Sequence, residues 1–274
     1  MSIKQILVPV QNVPTAEAGL KAAVVIAKAQ DAQVRAFHLR ERPGLPTEGF
    51  YALSPALLTA HVDDLRRAIE ERSASLKKTA EQVLGGAGVA WEWREQEGTV
   101  PFGISLESRV SDLVVFGRIE DELDFVESAL IEETLFQSGA PVLLAPPGAP
   151  AAAPRRVLFA WNGTREAARS LSAGLPFFRG ADAVSIVTFG DPPAVSPDAA
   201  AAAGLLARHG VRAEIRQRSR DERDPDHLLQ EAKDFRADLV VMGAYSHARW
   251  RQIVLGGFTR TMVRQAVVPV LLAH

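Results

Sequence analysis

Short apolar runs alternate with helical patterns along most of the chain. Runs such as ILVPV, DLVVFG and PVLLAP are rich in valine and leucine, which is typical of strands buried on both faces of a parallel sheet. Two further segments, VAWEW and VRAEIR, alternate apolar with polar residues, as expected for half-covered strands nearer a sheet edge. The alternation of strands with helices predicts βαβ units with right-handed crossovers, and therefore an α/β fold.

Several helical patterns carry recognisable start signals. Thr15 and Thr164 are predicted N-caps, because a side-chain oxygen at that position accepts a hydrogen bond from a free amide of the first turn. Asp224 followed by Pro225 is a third such start, with proline at the first helical position.

A long helical pattern from Ser54 to Leu84 has no counterpart later in the chain. Its apolar face is formed by Leu58, Val62, Leu65, Ile69 and Leu76. We interpret this segment as a helix lying on its own sheet, and a partner-binding helix is the alternative.

The chain repeats its own pattern, which indicates two units of one design. The matching segments are SDLVVFG with ADLVVMG, GAPVLLAP with VVPVLLAH, and ILVPVQNVPTAEAGL with VLFAWNGTREAARSL. We predict a first unit at residues 1–146, a linker rich in proline and alanine at 147–156, and a second unit at 157–274.

The composition narrows the classes of function. Hydrophobic residues make up 47% and charged residues 23%, and the net charge of −2 favours neither nucleic acid nor an anionic membrane as a partner. The absence of cysteine removes disulfides, thiolate metal sites and cysteine nucleophiles. The N-terminus does not have the pattern of a signal peptide, and no apolar stretch approaches membrane-spanning length, so we expect a cytoplasmic protein.

Glycines near the C-terminus suggest a place for an anion. Gly243 ends an apolar run, and without a side chain it allows the chain to turn sharply and a ligand to approach. Gly256 and Gly257 precede the predicted helix FTRTMVRQAV, whose first amides would point into the same crevice. An oxyanion fits such a helix start, where Thr259 could add a hydroxyl and Arg249 a positive charge.

This spacing resembles the nucleotide motif of the universal stress protein family. The family motif is a glycine, a second glycine after two residues, and a third glycine after nine more, followed by serine or threonine. Here Gly243 and Gly256 match the first and third glycines, whereas Ser246 replaces the second and Gly257 replaces the serine or threonine. The likeness covers nearly the whole chain and implies two tandem Rossmann-like units, each a five-stranded, mostly parallel sheet with helices on both faces.

The resemblance implies that the second unit binds an adenine nucleotide, ATP with Mg²⁺, although some family members lack the motif and do not bind it. Asn162 stands where the family usually has an aspartate near the adenine, and Phe189 and Met242 would line the pocket. The predicted binding residues are Asn162, Phe189, Met242, Gly243, Ser246, Arg249, Gly256, Gly257, Phe258 and Thr259.

The first unit departs further from the motif. Glu120 occupies the second-glycine position and Leu130 the third, and Glu132 and Glu133 follow near the predicted helix start. Because carboxylates there would repel phosphates, we predict that this unit binds no nucleotide. The acidic residues at 120–124 are interpreted as a solvated face rather than a metal site.

We find no sequence motif for catalysis, so an enzyme is not predicted, and slow ATP hydrolysis is the one activity left open. The first hypothesis is a tandem universal stress protein with a regulatory role in the stress response. The second is a ligand-free module of the same fold that docks to unidentified protein partners. A nucleotide-dependent transferase or hydrolase is a third idea, for which no base is found. Trp250 could be a lid over a ligand or an interface anchor.

The resemblance also concerns assembly. It implies an internal pseudo-dimer in which the last strands of the two units, PVLLAP and PVLLAH, pair across the pseudo-twofold axis. A homodimer of the whole chain is compatible with the same arrangement.

Overall fold

A computed structural model describes residues 2–41, 55–118, 125–148, 152–190, 196–219, 225–244 and 257–274. The first half contains β1 (Gln5–Pro9), α1 (Val13–Gln30), β2 (Gln33–Glu41), α2 (Pro55–Leu84), β3 (Trp91–Gly98), α3 (Phe102–Ser108), β4 (Leu113–Gly117), α4 (Phe125–Gln137) and β5 (Val142–Ala145). The second half contains β6 (Arg156–Ala160), α5 (Arg165–Gly180), β7 (Ala183–Phe189), α6 (Ala199–Arg208), β8 (Ala213–Arg218), α7 (Pro225–Phe235), β9 (Leu239–Gly243), α8 (Gly257–Gln265) and β10 (Val270–Ala273).

The ten strands of the described residues form one sheet in the order β3-β2-β1-β4-β5-β10-β9-β6-β7-β8. Neighbouring strands are parallel within each half, which gives each half the predicted five-stranded parallel sheet. The alternating segments VAWEW and VRAEIR contribute to β3 and β8, the two outer strands, as predicted.

The two halves meet at an antiparallel seam between β5 and β10. Leu143 lies opposite Leu271, and Val142 lies opposite Leu272. The predicted pairing of the last strands is therefore confirmed.

In the described part of the chain, each face of the sheet carries four helices over one continuous apolar cluster. Buried side chains of α1, α2, α5 and α6 belong to the cluster on one face, and those of α3, α4, α7 and α8 to the cluster on the other. Both clusters include residues of both halves; Leu143 and Leu271, for example, share the first cluster. The sheet and its two layers of helices therefore have a core that continues across the seam.

The long helix α2 begins one residue after the predicted start and lies on its own sheet, where it contacts α1, β2 and β3. Leu76, Ala80 and Leu84 of its C-terminal half are buried in the core, whereas Val62 and Leu65 are only partly buried. The interpretation of this segment as a packed helix is confirmed.

The prediction of Thr15 as an N-cap is wrong. Helix α1 begins at Val13, and the Oδ1 atom of Asn12 accepts hydrogen bonds from the N–H of Thr15 at 3.0 Å and from its hydroxyl at 2.6 Å. Pro14 explains the earlier start, because its fixed φ angle suits the first helical turn.

Among the helices of the described ranges, none combines the length and the apolar character that crossing a membrane requires.

Candidate functional site

The strand order of the second half reverses between β6 and β9, which lie side by side and parallel, with Ala160 opposite Met242. Ligands of open α/β sheets bind beyond the carboxyl ends of the strands at such a reversal. Asn162 follows β6 by two residues, and Gly243 is the last residue of β9. These two predicted site residues are thus brought to the same edge of the sheet.

The described part of the last helix, α8, begins at Gly257, directly after Gly256. The predicted helical segment after the paired glycines is therefore confirmed as a helix, and its exact start, at the edge of the described residues, stays a prediction. The first amides of a helix have no carbonyl partner within it, and the positive end of the helix dipole lies there. The start of α8 therefore has the character of an anion site.

Gly243 has a structural role that does not depend on a ligand. A Cβ atom at this position would lie 2.6 Å from the backbone nitrogen of Ala167 and 3.0 Å from the Cβ of Glu166. The first turn of α5 thus packs directly against the end of β9.

Gly117, the corresponding residue at the end of β4, is also packed closely against a helix. Its Cβ would lie 2.8 Å from the backbone nitrogen of Gly19 and 2.9 Å from the Cβ of Ala18, and it would overlap the carbonyl oxygen of Thr15. The glycine is therefore required in both halves for contact between helix and strand, a reason that the sequence did not reveal.

Asn162 is exposed and helps to start α5. Its Oδ1 atom accepts hydrogen bonds from the N–H of Thr164 at 3.2 Å and from the Thr164 hydroxyl at 2.8 Å. The Thr164 hydroxyl in turn accepts from the N–H of Ala167 at 3.3 Å, which confirms Thr164 as the predicted N-cap. Since Oδ1 is engaged locally, the side-chain amide of Asn162 is the group that it can offer to a ligand.

Three predicted apolar or hydroxyl contacts differ in accessibility. Phe189 is partly buried at the end of β7, whereas Met242 and Thr259 are 4% and 5% exposed. Met242 packs into the cluster beneath α7 and α8. A ligand at the sheet edge would therefore meet more of Phe189 than of Met242 or Thr259.

The remaining predicted contacts were not all located. Ser246, Arg249 and Gly256 lie outside the described residues, as does Trp250. Phe258 lies in α8, but its side chain is outside the described part of the chain.

Glu166 is a charged group of this edge that the sequence did not single out as part of a site. It is 4% exposed in the first turn of α5, and it forms an ion pair with the exposed Arg165. Burial alone would raise the pKa of the Glu166 carboxyl. Hydrogen bonds from the Arg165 side chain and from the Glu166 backbone outweigh burial and hold the pKa below its ordinary value of 4.5. An ionised carboxylate therefore lies beside Gly243. From the sequence alone, a glutamate in the first turn of a helix indicates only a residue that stabilises the helix.

Replacing Glu166 by glutamine is expected to lower the free energy of unfolding at pH 7 by about 0.5–1 kcal/mol, because the helix loses a negative charge at its N-terminus. The folded-state pKa is depressed, so the contribution of Glu166 is present above pH 4.5 and is lost as the pH falls through the folded-state value. Urea unfolding at pH 7 and pH 4 measures this difference, which should shrink at pH 4.

Glu17→Gln is the matched control, since the side chain of Glu17 in α1 is 47% exposed and paired with Lys21 at 2.5 Å. An exposed pair of this kind contributes less than about 0.5 kcal/mol. If the difference in free energy of unfolding between wild type and Glu166→Gln were the same at both pH values, the lowered pKa of Glu166 in the folded state would be contradicted.

In the first half, the described part of α4 spans Phe125–Gln137, and Leu130 lies inside this helix, buried in the core. The placing of Glu132 and Glu133 near the helix start was wrong, because they lie in the middle of α4. The acidic residues at 120–124 lie outside the described residues.

Comparison with known proteins agrees with this geometry. Residues 154–274 match the model of the universal stress protein family. A universal stress protein from Archaeoglobus fulgidus is similar over 98% of this chain and 97% of its own, with a TM-score of 0.75 and 15% identity. A Pseudomonas aeruginosa structure solved as a candidate universal stress protein is similar over 99% and 93%, with a TM-score of 0.57 and 16% identity. A search of curated protein sequences found no match. At these identities the solved structures show that the fold is shared along the whole chain.

Proposed function

We propose that the chain is a tandem universal stress protein whose second unit binds an adenine nucleotide, since residues 154–274 match the model of that family. The proposed ligand is ATP with Mg²⁺, in a cytoplasmic protein. The proposed boundaries are a first unit at 1–146, a linker at 147–156 and a second unit at 157–274.

The observation that carries this proposal is the start of α8 at Gly257 beside the reversal of strand order between β6 and β9. The first amides of α8 would hold phosphate oxygens, with the positive end of the helix dipole behind them. The side-chain amide of Asn162 would face the base, as the aspartate does in the family. The proposed binding residues are Asn162, Phe189, Met242, Gly243, Ser246, Arg249, Gly256, Gly257, Phe258 and Thr259.

Glu166 lies at the edge of the proposed site as an ion pair with Arg165, so the pair brings no net charge against the phosphates. We propose that the nucleotide binds with a divalent cation on its phosphates. Within the described residues, no three histidine, aspartate or glutamate side chains converge to hold a metal ion by themselves. The cation would therefore arrive with the nucleotide.

We propose a binding role rather than catalysis for this site. A nucleotide that binds the folded state alone stabilises it in proportion to the logarithm of its concentration over Kd. The nucleotide would thereby act as a stability or switching ligand in a regulatory role during stress.

A ligand-free module that docks to other proteins is the second candidate. One observation favours it: Phe102 and Leu106 on α3, and Val110 in the turn that follows it, are 55%, 40% and 66% exposed. Neighbouring exposed apolar residues are typical of protein contact surfaces. The predicted patch near Phe125 and Trp250 lies outside the described side chains.

A thermal shift with ATP and Mg²⁺ tests the proposed function. At a hundredfold excess over Kd the ligand stabilises the fold by ~2.7 kcal/mol, which for a chain of this size raises Tm by about 5–8 °C. Gly256→Leu should abolish the shift, since a bulky side chain would cover the first amides of α8.

Asn162→Ala and Gln11→Ala form a matched pair, because each residue follows the first strand of its half by two positions. We expect the Asn162 variant to reduce the shift and the Gln11 variant to leave it unchanged. The absence of any shift in the wild type at millimolar ATP would refute nucleotide binding and leave the docking module as the better account.

A further inference from the structure

Arg118 connects the first half of the chain to the candidate site in the second. It directly follows β4, and its Nη2 atom donates a hydrogen bond of 2.5 Å to the carbonyl oxygen of Ala266. Ala266 directly follows α8, and its N–H still bonds to the carbonyl of Met262. A guanidinium at this point satisfies a terminal carbonyl and complements the negative end of the helix dipole.

A second connection between the halves leads to Ala244, at the end of β9. The ring of Phe136 in α4 contacts the ring of His274 edge-on, with centroids 4.6 Å apart and planes at 83°. The Nδ1–H of His274 donates to the carbonyl oxygen of Ala244 at 3.0 Å, since a carbonyl can only accept. Ala244 is the residue after Gly243, so this contact lies at the carboxyl end of β9.

These two contacts bracket residues 245–256. On one side is Ala244, reached through His274, and on the other is α8, held at its far end by Arg118. Of the described segments that flank the candidate phosphate site, the end of α8 is therefore held directly by Arg118, and Ala244 is linked to the first half through His274.

The hydrogen bond from Arg118 has no counterpart at the corresponding residue of the second half. Arg118 and Ala244 occupy corresponding places, since the N–H of Arg118 bonds to the carbonyl of Ala145 at 2.8 Å and that of Ala244 to the carbonyl of Ala273 at 3.0 Å. Alanine has no side-chain donor, so Ala244 cannot make the equivalent hydrogen bond to the end of α4.

We propose that Arg118 and Phe136 are positioning residues by which the first half fixes α8 and Ala244 of the second. Its consequence for ligand binding rests on the proposed function: the affinity of the second half for a nucleotide depends on Arg118, because the amides at the start of α8 move with the helix that Arg118 holds.

The test combines two measurements on the full chain. Hydrogen exchange of the α8 amides without nucleotide reports the position and order of the helix directly. Arg118→Ala is expected to accelerate this exchange about tenfold, and Arg118→Lys, which keeps a cationic donor, is expected to change it less than about threefold. In the second measurement, Kd for ATP with Mg²⁺ should rise about tenfold in Arg118→Ala and return towards the wild-type value in Arg118→Lys.

Arg109→Ala is the control for a general loss of stability. The Nε atom of Arg109 donates to the carbonyl of Gln137, the last residue of α4, at 3.4 Å, so this variant removes the same kind of contact within the first half. It should leave α8 exchange and Kd within about twofold of the wild type. Phe136→Ala should accelerate exchange of the amides at the end of β9.

The outcomes separate the positioning role of Arg118 from the proposed nucleotide binding. If α8 exchange is the same in Arg118→Ala and Arg109→Ala, the inference is overturned whether or not ATP binds. If α8 responds to Arg118→Ala but the wild type binds no ATP, the positioning role stands and the proposed function fails. If α8 responds and ATP binds with unchanged Kd, the coupling between the halves is refuted.

Discussion

Replacing Gly117 by alanine is expected to destabilise the fold by about 3 kcal/mol or more. The added methyl group would overlap the carbonyl oxygen of Thr15 and lie 2.8 Å from the backbone nitrogen of Gly19. Both are backbone atoms of α1, so no side-chain rotation relieves the overlap, and the helix must move away from β4. Gly243→Ala should have a similar effect, because its methyl group would lie 2.6 Å from the backbone nitrogen of Ala167.

Urea unfolding followed by circular dichroism measures this loss. Gly204→Ala is a control of opposite sign: Gly204 lies inside α6 with no atom within 4 Å of the added methyl group, so this variant should gain about 0.5–1 kcal/mol. Equal stabilities for Gly117→Ala and the wild type would mean that α1 does not pack on β4 as described.

Replacing Leu271 by aspartate is expected to cost at least about 4 kcal/mol and to unfold both halves together. Leu271 is fully buried on β10 opposite Leu143, in an apolar cluster that extends into both halves. An aspartate there loses the apolar contacts and places a carboxylate where no partner is available. Since typical proteins are stable by only about 5–15 kcal/mol, most of the stability would be lost.

The milder Leu271→Ala variant is expected to lose about 2–5 kcal/mol of unfolding free energy. It should stay folded, so that the strands that lose protection can be identified. Hydrogen exchange in increasing urea should show β1 and β6 opening at the same, lowered concentration. Val267→Asp is the control, because Val267 is 85% exposed only four residues away, and it should change stability by less than about 0.5 kcal/mol. If β1 kept its wild-type protection in Leu271→Ala, the halves would be independent folding units.

The repeats and the apolar patterns predicted the architecture well, because both depend on local sequence. Valine-rich runs became parallel strands, and the pairing of β5 with β10 followed from the family resemblance. The helix α8 was also predictable, since the residues after the paired glycines have helical spacing.

Contacts between distant residues could not be predicted in the same way. The role of Gly117 and Gly243 depends on how closely a helix approaches a strand, which has no signature in sequence spacing. Arg118 and Ala266 are 148 residues apart in the chain, so nothing local relates them. The cap at Asn12 was missed because Thr15 has an equally suitable hydroxyl, and the choice between them rests on where Pro14 begins the helix.

The seam between β5 and β10 has a consequence for how such a protein can evolve. When two identical subunits associate, every substitution appears on both sides of their contact. Here the two sides are encoded separately, so an arginine can face a helix end on one side while an alanine occupies the corresponding place on the other. Joining both halves in one polypeptide thus allows each to specialise without loss of the shared scaffold.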